Sequence, residues 1–253
     1  MRDTAHLGGL FLSVVIGALV ASGCERRGSS GGEFGELVKL ADRYGTDKAS
    51  WKHKFAELYE HFFAPLRYST KRVFEIGVLQ GQSLKMLRDY FPNAIVYGID
   101  IEDTASLNSE RIKTFVADQS DRKQLQAFLD FSGGEAFDII IDDGGHAMHQ
   151  QQISFGFLLP HLRPGGYYII EDLHSSMIEG SYGVGPDRTT TTLAMVNRFI
   201  RTGKIESIYM SPAELAHLNA ELEYCALMSR NRGRSITAVF KKKIPRAAHA
   251  NAH

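Results

Sequence analysis

The chain has 253 residues, 43% of them apolar and 23% charged, with 29 Lys and Arg balancing 29 Asp and Glu. That is enough apolar material for one ordinary core, and it excludes a disordered, collagenous or disulfide-stapled chain. The balanced charge gives no field that would gather nucleic acid, and Cys24 and Cys225 form neither a CxxC nor a Cys/His cluster, so structural zinc is not expected and a small or neutral ligand is.

In chain order, Leu7 to Gly23 is a charge-free apolar run preceded by Arg2 and followed by Cys24. Ala21-Ser22-Gly23-Cys24 has the form of a lipobox with Ala at its first position, and the run is marginally long enough to span a membrane. Membrane contact through residues 7–23, a cleaved leader and a start site chosen too far upstream all stand open. The catalytic part is expected in the cytoplasm. The expected organisation is a leader and Gly-rich linker over residues 1–32, a helical extension over 33–70, an α/β domain over 71–243 and a frayed tail over 244–253.

Phe34, Leu37, Val38, Leu40 and Ala41 recur at helical spacing, as do Phe55, Leu58, Tyr59, Phe62 and Phe63, which predicts two amphipathic helices between Glu33 and Phe63. The polar residues of Tyr44-Gly45-Thr46-Asp47-Lys48 between them either cap the second helix or reach a site. Short apolar runs then alternate with helical stretches. Strands are predicted at Arg72–Ile76, Ile95–Asp100, Ile112–Ala117, Phe137–Ile141 and Tyr167–Glu171, and helices at Ser83–Tyr90, Asp121–Phe131, His149–Leu162 and Thr190–Arg201. Tyr224–Ser229 and Ser235–Lys241, joined by Arg230-Asn231-Arg232-Gly233-Arg234, read as an antiparallel hairpin at the sheet edge. The fold class is α/β: a doubly wound, Rossmann-like sheet of seven strands, mostly parallel, with an antiparallel C-terminal hairpin.

Such sheets bind ligands beyond the carboxyl ends of their strands, and here those ends carry acids. Glu75 ends the first, followed by Gly77 and Gly81, which let the backbone turn before a helix opening near Ser83. A carboxylate there suits a cationic ligand such as a sulfonium with an amino acid, and disfavours a dinucleotide pyrophosphate. Asp100 is placed to accept ribose hydroxyls, and Asp118 and Gln119 to meet adenine. Any one of these acids alone would more simply be a helix cap. Their joint placement favours a ligand.

The fourth strand ends in Asp142-Asp143-Gly144-Gly145-His146 and the fifth in Glu171-Asp172-Leu173-His174. Four carboxylates so close either retain protons or hold a divalent cation; hard oxygen donors select Mg²⁺, with Ca²⁺ or Mn²⁺ as competitors, and the lack of cysteine argues against zinc. Capping of backbone amides by Asp142 and Asp172 is the simpler alternative. His146 is the candidate general base, ahead of His149 and His174. The Gly180–Gly185 stretch suits a lid or a plain surface loop.

Together these segments resemble the metal-dependent sugar O-methyltransferases of macrolide biosynthesis, the mycinamicin and demethylmacrocin enzymes, with cephalosporin-biosynthesis methyltransferases as relatives. The resemblance runs from about Leu40 to Lys241 and rests on residues 44–48, 74–78, 97–101, 118–121, 140–146 and 170–173. It implies S-adenosyl-L-methionine as cosubstrate and Mg²⁺ as cofactor. It further implies Asp143, Glu171 and Asp172 as metal ligands and His146 as catalytic base. Glu75, Gly77, Gly81, Ser83, Asp100, Asp118, Gln119, Asp142, Thr46 and Lys48 are the expected cosubstrate residues. A hydroxyl of a glycoside is the expected acceptor, and self-association is left open. Gly145 stands where the family usually has Ser, and His174-Ser175-Ser176-Met177 replaces an aromatic Thr-Ser-Tyr-Trp segment. A dinucleotide-dependent dehydrogenase and a non-catalytic, membrane-anchored module of the same fold are the competing readings.

Overall fold

A computed structural model describes residues 35–230 and 235–245. The apolar run, the Gly-rich linker, residues 231–234 between the expected hairpin strands and nearly all of the tail lie outside the described residues. Among the described residues no helix is long and apolar enough to cross a membrane.

Helices α1 (Glu36–Tyr44) and α2 (Phe55–Phe63) realise the two amphipathic patterns. Gly45 ends α1 in the left-handed conformation and turns the chain into the Thr46–Lys48 loop. The α/β part then runs through β1 (Arg72–Ile76), α3 (Gln82–Tyr90), β2 (Ile95–Asp100), β3 (Ile112–Val116), α4 (Arg122–Phe131) and β4 (Phe137–Asp142). All lie within a residue of expectation. Asp121 is the N-cap of α4 and accepts from the amides of Lys123 and Gln124 at 2.8 and 3.3 Å.

The second half departs further. Helix α5 (Met148–Leu158) stops four residues short of the expected Leu162, because Pro160 allows only a 3₁₀ turn over Leu159–His161. Leu162 instead opens β5 (Leu162–Ile170), five residues ahead of the expected Tyr167. Leu162 pairs with Phe137, the register shifts, and Tyr167 pairs with Ile139, so Pro164-Gly165-Gly166 bulges out of the ladder. Helix α6 (Thr192–Thr202) is capped by Thr191. Helix α7 (Pro212–Glu221) was not anticipated: its apolar stripe is weak, although Ser211 and Glu214 form a capping box. Strands β6 (Leu222–Arg230) and β7 (Ser235–Lys242) pair antiparallel, and β7 pairs antiparallel with β5.

The sheet order is β3-β2-β1-β4-β5-β7-β6, parallel up to β5. The chain reverses direction of winding between β1 and β4, so the ligand crevice belongs at the carboxyl ends of those strands. Side-chain alternation divides the core. Phe74, Ile76, Ile140 and Ile170 face the layer that includes α4, α5 and α6. Val73, Ile139, Ile141 and Ile169 face α1, α2 and α3. Continuing that period, Glu75, Asp143 and Glu171 fall on the second face and Asp142 on the first.

Candidate active site

A cavity of about 470 Å³ opens at the switch point, lined by Thr46, Asp47, Gly77, Ser83, Asp100, Asp118, Gln119, Asp143 and His146 among others. Gly77 has φ +87°, and a Cβ there would come within 2.1 Å of the Asp143 carbonyl oxygen, so only glycine lets β1 turn against the end of β4. Gly81 holds φ +76° where α3 begins. Asp100 binds this turn from β2: its Oδ2 accepts from the amides of Val78 and Leu79 at 2.8 and 2.9 Å. Partial burial opposes the ionised form of Asp100, yet these amides hold its carboxyl below the usual range. Asp118 accepts from the amide and hydroxyl of Ser120, both at 2.7 Å. Gln119 receives the Gly145 amide at 2.8 Å and donates to Asp142 at 2.9 Å, fastening the β3 end to the β4 loop.

Two expected cosubstrate acids do not line this cavity. Asp142 is fully buried on the α5 face, where Ser154 donates to it; burial pushes its carboxyl up to about 6 against the bonds from Ser154 and Gln119. Glu75 is fully buried on the other face, receives Ser83 Oγ at 2.5 Å, and is pushed by burial up to about 7 although Lys48 opposes it. Lys48 likewise lies behind the wall and not in it. Its Nζ is 2.5 Å from Asp143 Oδ2, 3.2 Å from Glu171 Oε1 and 3.4 Å from Glu75 Oε1, and the residue is fully buried. Burial lowers the ammonium pKa, but Asp143, Glu171, Glu75 and Asp47 outweigh it and hold the group well above its ordinary value.

The expected metal set is split. Asp143, His146 and Asp172 each offer one ligand atom, and these atoms lie within 4.8 Å of one another. Glu171 stands back: its Oε1 accepts from Tyr59 at 2.5 Å and faces Lys48. His146 and Asp172 both adopt left-handed backbone, with φ 56° and 54°, a conformation uncommon for such residues and often retained where a side chain must be aimed. His146 Nε2 lies 3.7 Å from Asp172 Oδ2, and Ser175 Oγ donates to the His146 carbonyl at 3.0 Å. Buried atoms His146 Nδ1 and Asp172 Oδ1 have no hydrogen-bond partner. Two carboxylates and an imidazole whose donor atoms lie within 4.8 Å of one another form a set that fits a divalent cation. Of the other imidazoles, His174 Nδ1 faces Asp172 at 3.6 Å, while His149 is exposed and turned towards Tyr209. The Gly180–Gly185 loop is fastened at Tyr182, whose carbonyl accepts from the Met148 amide at the start of α5.

Sequence reasoning passed over Tyr59, read as one of the apolar residues of α2, and Trp51, which lines the cavity while 64% exposed. A tyrosine at core spacing gives no sign that its hydroxyl meets a carboxylate.

Residues 52–186 match the FtsJ-like methyltransferase family model, more than half of the chain. The chain belongs to the FtsJ-like methyltransferase family. It is 40% identical over 161 residues to an 8-demethyl-8-(2-methoxy-alpha-L-rhamnosyl)-tetracenomycin-C 3'-O-methyltransferase of Streptomyces olivaceus, covering 61% of this chain and 41% of that one. It is 38% identical over 155 residues to the mycinamicin VI 2''-O-methyltransferase of Micromonospora griseorubida, covering 58% and 38%. A mycinamycin-pathway methyltransferase solved with Mg, SAH and mycinamycin VI superposes with a TM-score of 0.69 at 29% identity, over 83% of this chain and 55% of that one. The chain spans less than half the length of the curated relatives it matches. The expected fold class and family are thereby borne out.

Proposed function

We propose that the chain is an S-adenosyl-L-methionine-dependent, Mg²⁺-dependent O-methyltransferase acting on a hydroxyl of a sugar in a glycosylated metabolite or glycan. The observation that carries this is the Asp143, His146 and Asp172 cluster at one end of a cavity whose other end is the Asp100-bound glycine turn. Relatives whose names specify rhamnosyl and mycinamicin O-methylation, and a solved structure with Mg and SAH, support the substrate class and both cofactors.

In this reading the Gly77–Gly81 turn, Asp100, Asp118 and Gln119 hold the cosubstrate, Asp143 and Asp172 would hold the cation with Glu171 behind them, and His146 stays uncoordinated beside the acceptor. A bound Mg²⁺ supplies Lewis acidity that lowers the pKa of a neighbouring sugar hydroxyl. His146 takes that proton as the oxygen attacks the sulfonium methyl carbon; the new C–O bond forms as the C–S bond breaks, and its electron pair stays on sulfur. The protein aligns the three atoms and excludes water.

Isothermal titration with S-adenosylhomocysteine, with and without Mg²⁺, followed by methyl transfer to a rhamnoside acceptor, tests the reading. Binding near the micromolar range and metal-dependent transfer are expected. A folded protein that binds no S-adenosylhomocysteine sinks it and leaves the non-catalytic module.

A further inference from the structure

Sheet alternation sends Glu75, Asp143 and Glu171, from three neighbouring strands, to the face covered by the N-terminal helices, and the loop between those helices answers with a single buried ammonium. We propose that Lys48 is the resident counter-cation of this cluster, a positioning residue that lets the carboxylates pack before a divalent ion arrives and that weakens the binding of that ion. The inference rests on the metal-dependent reading above and assigns the helical extension a part in it: Lys48 lies ahead of residues 52–186, the stretch matched to the family.

The buried carboxylates of Glu75 and Glu171 and that of Asp143, which borders the cavity, repel one another around one point unless a positive charge lies between them or protons are retained. Lys48 supplies that charge, while Tyr59 and Ser83 fix the orientations of Glu171 and Glu75. Asp143 is the shared member: one oxygen faces Lys48, and the residue also belongs to the set with His146 and Asp172. A divalent ion held by Asp143 therefore lies close to an ammonium drawn to the same carboxylate. The two cations repel. Stability without the ion and affinity for it are thereby opposed, and Lys48 sets the balance.

The test is Mn²⁺ titration calorimetry with melting curves on the full chain, comparing wild type with Lys48→Met, Lys48→Gln and Lys48→Arg. Without ion, the two neutral variants melt below wild type; they bind Mn²⁺ at least ~10-fold more tightly, and saturating Mn²⁺ restores most of the lost melting temperature. Lys48→Arg, which keeps the charge, stays within about threefold of the wild-type affinity. A merely structural lysine would lower the melting temperature and leave the Mn²⁺ affinity unmoved, and that result overturns the proposal. Weaker Mn²⁺ binding by the neutral variants overturns it too. So does failure of both to fold with saturating ion, because the ion is expected to replace the ammonium. Wild-type titrations with S-adenosylhomocysteine and Mn²⁺ separate the two readings. Binding of neither removes the proposed function and this inference together, whereas binding of both with unshifted variants removes the role of Lys48 alone.

Discussion

At the Asp100 end of the cavity a partly buried carboxylate is satisfied by the amides of its neighbouring turn, whereas at the Asp143 end three carboxylates share one ammonium and Asp143 also joins the set with His146 and Asp172. The first arrangement is complete without a ligand. The second is not: one ammonium from another part of the chain offsets only part of the charge of three carboxylates, and His146 and Asp172 stand in left-handed backbone. A preformed pocket beside an electrostatically unfinished one suits a reaction in which the cosubstrate binds a rigid site and the reacting oxygen is prepared next to it.

The largest expected effect lies at the unfinished end. His146→Ala removes the group proposed above to take the acceptor proton and touches nothing at the Asp100 end, so turnover should fall by about 10²–10⁴-fold. S-adenosylhomocysteine affinity should stay within about threefold of wild type, because the cosubstrate residues are untouched. Single-turnover assays and calorimetry on one preparation measure both. Unchanged turnover would remove His146 from the chemistry, and a large loss of affinity would mean the two ends do not work separately.

The next effect is one of pH. Glu75 is pushed up to about 7 from 4.5 by burial, despite Lys48 and Ser83. A carboxyl raised in the folded state binds more protons there than when unfolded, so its contribution to stability is present in acid and is lost as pH rises from about 4.5 to about 7. Across that window the wild type should lose on the order of 3 kcal/mol that Glu75→Gln does not lose. Urea melts of both proteins at several pH values give the difference curve. A flat difference between pH 4.5 and 7 would show that Glu75 is already ionised at the low end.

The sequence made the first arrangement easier to read than the second. Strand ends β1 to β4 and the Gly77 turn follow from local pattern, because a short apolar run ending in an acid and glycine specifies its own geometry. The boundaries of β5 do not: Pro164-Gly165-Gly166 looks like a loop, and only pairing of Leu162 with Phe137 makes it part of a strand. The same holds for the site. Which carboxylates were near one another was legible from the strand ends, but not which face each joined, so Asp142 and Glu75 looked equivalent although one meets Ser154 and the other Lys48. That division depends on how helices cover the sheet, and Lys48 enters from a loop 27 residues before Glu75 in sequence.

The smallest effect sharpens the comparison from the complete end. Asp100→Asn keeps one acceptor oxygen for the Val78 and Leu79 amides but presents an NH₂ group where Oδ1 now accepts from the Glu102 amide at 3.1 Å. Two donors then face each other at the base of the glycine turn, and the carboxylate expected to receive ribose hydroxyls loses its charge. S-adenosylhomocysteine binding should weaken about tenfold, the cost of one charge-assisted hydrogen bond. Mn²⁺ affinity should not change, since Asp100 lies on β2, separated by β1 from the strand that carries Asp143. Calorimetric titration of each ligand in the absence of the other isolates the two numbers. If Mn²⁺ affinity falls in step with S-adenosylhomocysteine affinity, the glycine turn transmits strain through the close approach of Gly77 to the Asp143 carbonyl, and the two ends form one cooperative unit.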